Sequence, residues 1–345
     1  MVFYSEVGIE NIIIHTVGNK LKGDSILLSN STIIMGSELE SSLLQHFIKP
    51  FLKSNEYYTF DNIEINEIYQ AVRTIFRDYS SFVNESKKIA NNLFHIVRNP
   101  KIVGGHLFIV LFNGCIVNDN MTNGIGIFKT ETIDTIIKIN PSNERFEVET
   151  ERGVNINKLT KGCIIFNEEE DNGYIVSIVN KKITKDDVGY WLEDFLNLKP
   201  YKDNYYFTKS TLDCIGNFVF EQLPANFDIA KVSQIDLLNK TVDYCLSNDN
   251  FILEDYSNEV LESEEVIEKF NDYKEYYMEH NQLEEVINFE IDKSAVKNKI
   301  KDFKSVIKLD DRFDIILHKD TENLIRGKDE MTGMDYYQLF FKVES

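Results

Sequence analysis

A chain of 345 residues with 43% hydrophobic content is long enough to build two or three cores. Its net charge of −20 argues against a uniformly basic nucleic-acid binder. No apolar run approaches the length of a membrane span, and Met1-Val2-Phe3-Tyr4-Ser5-Glu6 carries neither a basic segment nor a continuous apolar one, so no signal peptide is read there. Four widely spaced cysteines, Cys115, Cys163, Cys214 and Cys245, lie in apolar or helical surroundings. They read as reduced core thiols of a cytoplasmic protein, neither a disulfide set nor a zinc site. The acidity is unevenly spread: residues 1–130 are net −1, 131–248 net −7, 249–300 net −10 and 301–345 net −2. The amino-terminal third is therefore free to present a basic face.

Along the chain, residues 9–17, with three consecutive isoleucines before His15, read as a first strand, and 18–24 as a turn into a short return strand at 25–29. A helix is expected from about 37 to 53, with Ser37 as N-cap and Glu40 completing a capping box. Residues 64–99 hold the most periodic pattern. Ile68, Val72, Ile75, Phe76, Phe82, Val83 and Leu93 recur at three- and four-residue steps, which predicts one or two amphipathic helices with a break at Ser80-Ser81. Arg73, Arg77, Asn84, Lys87, Lys88, Asn91 and Arg98 fall on the opposite side as a basic stripe.

The longest apolar run, Leu107 to Phe112, has glycines on both sides and reads as a strand buried on both faces. Turn residues at 118–120 and at Asn123-Gly124 lead to a second strand, forming a hairpin on which the flanking elements pack. Short strands are expected at 132–139, 146–150, 162–166 and 174–179, as an antiparallel meander closed by a helix at 186–198. The chain from 204 to 280 is mainly helical, including an acidic helix from 263. Past 288 the period returns to two, with strands at 303–309, 313–318, 323–326 and 336–343. The class is α+β: amino-terminal helices on an antiparallel meander, a helical middle and a small carboxy-terminal antiparallel sheet. The corresponding division is 1–200, 201–287 and 288–345.

Catalytic signatures are weak. The stretch 18–25 imitates P-loop spacing but places Asp24 where a lysine must reach phosphate, and it lies between strands, so it reads as a hairpin turn. Gly124-Ile125-Gly126 lacks a third glycine and reads as a turn. The six histidines show no metal-ligand spacing, and His106 beside the buried run reads as a strand-edge histidine. Two acidic-x-Lys triplets, Asp272-Tyr273-Lys274 and Asp302-Phe303-Lys304, together with Asp310, Asp311 and Asp314, would suit a metal-dependent nuclease. Such triplets are ordinary in a chain that is 27% charged. No enzyme activity, cofactor or metal is expected.

The basic stripe carries the positive signal. Its plain reading is a solvated helix face. Its functional reading is a row of cations tracking a DNA backbone: Arg73, Arg77, Lys87, Lys88 and Arg98, with Asn91 and Asn92 adding hydrogen bonds. The acidic helix is read as a solvated face or a dock for a basic partner.

Several stretches together resemble the bacterial nucleoid-associated protein family (NdpA-like), in the form associated with Bacteroidetes-type bacteria. The matching residues are Ile13-Ile14-His15 and the stretches 51–58, 100–105, 125–129, 153–159 and 161–167. Tyr190-Trp191 with Asp194-Phe195, 303–310 and 333–340 complete them in family order. The resemblance implies a cytoplasmic, non-enzymatic protein of the nucleoid that binds double-stranded DNA and touches the DNA topology machinery. It carries over no residue-level site. The alternative expectation is a protein-interaction module recruited to the nucleoid through a topoisomerase or another basic partner. No membrane partner is expected, and a homodimer is left open.

Overall fold

The structure is a computed structural model that describes residues 2–142, 145–180, 189–281, 283, 288–301, 303, 306–310, 312–317 and 323–343. Asp186 to Val188, Glu284, Glu285, Asp302, Lys304, Asp311 and His318 lie outside the described residues. The chain divides into two compact units, 1–201 and 202–345.

The first unit is built on a nine-stranded antiparallel sheet. In chain order its strands and long helices are β1 (Val2–Phe3), β2 (Gly8–Val17), β3 (Ile26–Leu27), α1 (Ser37–Ile48), β4 (Tyr57–Phe60), α2 (Glu67–Arg77), α3 (Phe82–Ile96), β5 (Gly105–Val117) and β6 (Asn120–Thr130). There follow β7 (Ile133–Ser142), β8 (Arg145–Val154), β9 (Lys161–Phe166), β10 (Ile175–Asn180), a π-helical stretch Tyr190–Leu196 and β11 (Leu198–Pro200). The sheet order is β11-β4-β10-β9-β6-β5-β2-β3, with β1 also on β5. A meander runs through β5, β6, β9 and β10, so of the four strands expected to form it after the hairpin, β9 and β10 take part. Strands β7 and β8 leave it, and pair only with each other as a ribbon between β6 and β9.

The apolar run is continuous because both faces of β5 are covered. Leu107, Ile109 and Leu111 join the core beneath α2, α3 and the 190–196 stretch. Phe108, Val110 and Phe112 join the opposite core beneath α1, with Phe47, Phe51 and Phe128. All six are at most 5% exposed.

Three local expectations are corrected. Gly124 and Gly126 do not form a turn; both lie inside β6. A Cβ on Gly126 would stand 2.3 Å from the Phe128 ring and 2.7 Å from the Phe112 ring, so this position is empty because two rings occupy it. The N-cap of α1 is Gly36, without a side-chain bond, and Ser37 is the first helical residue. Strand β4 was not expected: the chain between α1 and α2 makes an edge visit, pairing with β10 and β11. The turn at 18–25 is as read, with Asn19 accepting from the Leu21 amide and Gly23 at φ +80°.

His15 ties three elements together. Its Nδ1 accepts from the Ser29 amide at 3.1 Å, and Nε2 lies 3.0 Å from Ser86 Oγ on α3. An amide can only donate, so Nδ1 is unprotonated and the proton sits on Nε2, directed at Ser86, whose hydroxyl donates onward to Val83 O at 2.8 Å. Burial, with Lys87 nearby, pushes the imidazole down to about 4.

The second unit is mainly helical: Asn204–Asn217, Lys231–Ser247 and Glu264–His280 surround Leu212, Ile215, Phe218, Leu238, Tyr256 and Phe270. A short strand pair, Asn250–Ile252 with Asn288–Glu290, precedes an unexpected helix at Lys293–Ile300, capped by Asp292. The carboxy-terminal strands pair as two antiparallel hairpins, Val306–Leu309 with Phe313–Ile316 and Leu324–Lys328 with Asp335–Leu339. All four cysteines are free and buried, and burial pushes the Cys115, Cys214 and Cys245 thiols up to about 12.

Two outcomes follow. Gly126→Ala should cost about 1–3 kcal/mol of stability by overpacking, read as a lower denaturant midpoint with an unchanged slope. Because the folded state holds His15 neutral while an unfolded histidine protonates near 6.5, stability is full above that pH and falls as the pH drops toward about 4. His15→Gln should take up about one proton fewer on unfolding in that window, measured as a shallower dependence of stability on pH than in the parent chain. Equal slopes would refute the assignment.

Candidate functional site

Helices α2 and α3 form an antiparallel hairpin on one face of the sheet. Asn66 starts α2: its side chain accepts from the Ile68 and Tyr69 amides and donates to Leu196 O, so a single cap also anchors the 190–196 stretch. Asp78 ends α2 and accepts from the Ser80 amide, turning the chain into α3 at the expected break. Ile68, Val72 and Ile75 of α2 and Phe82, Ile89 and Leu93 of α3 point into the core at 2% exposure or less. The remaining faces look outward. Asn92 near the end of α3 donates to Glu67 at the start of α2, 2.7 Å away, which fixes the antiparallel arrangement.

The reversal distributes the basic stripe over two places. Lys88, Asn91 and Arg98 line a groove of about 630 Å³ between the helices, with Glu67, Gln70 and Thr74 among its other walls. Lys88 Nζ is 2.7 Å from Glu85 Oε1, and Arg98 is exposed. Lys87 lies beside it and donates to Asn30 Oδ1 at 2.7 Å.

Arg73 and Arg77 instead converge on one carboxylate. Arg73 Nε is 2.8 Å and Arg77 Nη2 is 2.5 Å from Glu170 Oε1, in the turn between β9 and β10. Tyr69 donates to the backbone oxygen of the same residue. The hydrogen bond from Arg73, reinforced by Arg77, holds the Glu170 carboxyl below its ordinary range. The trio keeps one net positive charge, and both guanidinium groups remain partly exposed.

The structure adds cations that the periodicity of 64–99 did not include. Register pairs Val17 with Gly105, so the turn leaving β2 lies beside the segment entering β5. There Asn19 donates to Asn99 O and Ile102 O at 3.0 and 2.8 Å, and Lys20 Nζ donates to His95 O at the end of α3. Lys20, Lys22, Arg98 and Lys101, all exposed, thus gather around the carboxy-terminal end of α3, where the helix dipole favours cations. Some 75 residues separate Lys20 from His95, and the β2–β5 pairing with these three hydrogen bonds unites the two segments.

Of the residues considered for a nuclease, Asp302, Lys304 and Asp311 lie outside the described residues. Lys274 is buried on the helix Glu264–His280, while Asp310 and Asp314 are exposed near a turn. Among the described residues no group of three or more His, Cys, Asp or Glu is placed to hold a metal ion, and no helix is long and apolar enough to cross a membrane.

Asn66→Ala, which removes two capping bonds and the tie to Leu196, should cost about 1–2 kcal/mol. Asn66→Asp should recover the capping part. Thermal melts of the three chains check the order.

The family model described as nucleoid-associated protein YejK matches residues 13–332, and the chain belongs to that family. No curated protein matches it.

Proposed function

We propose that, as a member of a nucleoid-associated family, this chain binds double-stranded DNA through the outward side of α3 and the basic turn at its end, with little sequence preference and without catalysis. Family membership carries the nucleoid role. The gathering of exposed Lys20, Lys22, Arg98 and Lys101 at one helix end, beside Lys87, Lys88 and Asn91, supports the DNA contact. Cations on flexible stems and an amide side chain suit phosphate oxygens, which carry no sequence information. Arg73 and Arg77 add one net charge through their shared Glu170 and hold the β9–β10 turn on α2. The unit carrying this face is net −6, against −14 for the second unit, so the repulsion of phosphate is weaker where the face lies.

A second reading is recruitment through a basic protein such as a topoisomerase. The exposed carboxylates on Glu264–His280 favour it: Glu264, Glu265, Glu268, Asp272, Glu275 and Glu279 leave that helix strongly anionic.

Salt titration separates the two. Fluorescence anisotropy with a random duplex of about 30 base pairs should give a log–log slope of magnitude roughly 3–5, from four or five neutralised phosphates. Lys88→Ala and Arg98→Ala should each reduce it by about 1 and weaken binding equally across sequences. Unchanged slopes would reject the site, and no binding at low salt would reject the DNA reading in favour of recruitment.

A further inference from the structure

Among the described residues, one face of the β7–β8 ribbon stays largely uncovered. Opposed residues of an antiparallel pair project to the same side. Register pairs Ile133 with Val154, Ile137 with Thr150, Ile139 with Val148 and Pro141 with Phe146, so one face is aliphatic and aromatic with a single charge, Arg152. The other face holds Asp134, Lys138, Arg145, Glu147, Glu149 and Glu151, and apart from Ile136 and Gly153 it is polar. The cross-strand ion pair, Lys138 to Glu151 at 3.4 Å, lies on that second face.

The apolar side chains are not absorbed by the unit's own cores. Ile133 is 42% exposed, Ile137 64%, Ile139 61%, Phe146 74% and Val148 64%. Together they leave on the order of 600 Å² of apolar surface, at the upper end of what a monomer shows. That is most of the roughly 800 Å² each partner contributes to a standard interface. A two-stranded ribbon standing off a sheet is itself marginal in water.

We infer that this face is the contact between two copies of the chain, packed ribbon on ribbon about a two-fold axis. Charge selects that occupant. DNA is a poor one, because the ribbon carries four carboxylates against three cations over its paired residues. In a two-fold contact each residue meets the partner's copy of another, so a face with one arginine brings few charges out of water, whereas its reverse, with Asp134, Glu147, Glu149 and Glu151 against Lys138 and Arg145, would bring an excess of like charge together. A ribbon of ten paired positions, about 30 Å long, offers enough length for two such faces to stack as a small sandwich. The inference stands independently of the DNA reading.

The test is the mass of the full chain by sedimentation, with variants on each side of the ribbon. The parent chain should run at twice its 40.2 kDa at micromolar concentration. Ile137→Glu combined with Ile139→Glu should raise the dissociation constant at least a hundredfold while the separated chain keeps the far-UV spectrum of the parent, both sites being exposed outside the dimer. Because the native cysteines are buried, Ile133→Cys, Ile137→Cys and Ile139→Cys can report proximity by oxidative cross-linking. At least one should cross-link, while Lys138→Cys on the opposite face should not. A parent chain of single mass at tens of micromolar overturns the inference. So does a dimer indifferent to the double variant with none of the three cross-linking, which would place the contact elsewhere. A single-mass chain whose duplex affinity falls in the double variant would assign the face to DNA and also overturn it.

Discussion

Burying β5 on both faces is the constraint from which the rest of the first unit follows. A central strand covered on one side needs apolar residues only at alternate positions; Leu107 to Phe112 has them at every position. Each side must therefore be roofed, one by α1 and the other by α2 and α3. Roofing fixes which sides of α2 and α3 turn inward and leaves their polar residues outside. The candidate interface is in this sense the reverse of the core. Its position depends on Ile89 and Leu93 as much as on Lys88 and Arg98.

Period and run length made much of this readable in the sequence. The buried hairpin, the strand before it, the amphipathic pair of helices and the break at Ser80-Ser81 all announce themselves through short-range patterns. What the patterns could not give was pairing at a distance. Strand β4 has four residues and no alternation long enough to count, and it exists because β10 offers an open edge. The helix Lys293–Ile300 is two turns long, held by the Asp292 cap rather than by a strong apolar stripe. Gly124 and Gly126 resembled turn residues because glycine serves both a turn and a crowded strand, and only the Phe112 and Phe128 rings decide between them. The stripe itself suffered from the same blindness. Its spacing was correct along each helix, but a hairpin folded at Asp78 sends Arg73 and Arg77 to Glu170, and the lysines of a distant turn join Arg98 instead.

Net charge is a blunt guide here for a related reason. Two lysines counted among the cations of the first unit, Lys129 and Lys161, are buried to 2% and 1% exposure and face Glu131 at 2.8 and 3.1 Å, with Tyr190 hydroxyl on the same carboxylate. Burial alone would raise the Glu131 carboxyl, yet the two ammonium groups outweigh it and hold it below its ordinary range. Such a cluster orders β6, β9 and the 190–196 stretch and presents little to a ligand. Conversely, exposed cations at the end of α3 act over a Debye length of about 8 Å at physiological salt. Over that distance the immediate neighbours matter far more than the −20 of the whole chain.

The two open surfaces of the first unit have opposite chemistry and suit each other as parts of one device. A face of four or five cations on an acidic chain is a weak ligand for DNA by itself. An apolar ribbon that joins two copies would place two such faces on one particle, and the second would then engage at a high effective concentration once the first is bound. Weak contacts to phosphate would become useful affinity without any base-specific group, and each face would still release and rebind readily. The ribbon interrupts the meander between β6 and β9, two strands that pair with each other directly, so it can extend outward without disturbing the roof that orients α3. On the two proposals together, association would fall to the ribbon and electrostatics to α3 and the turn at its end, separate parts of the first unit.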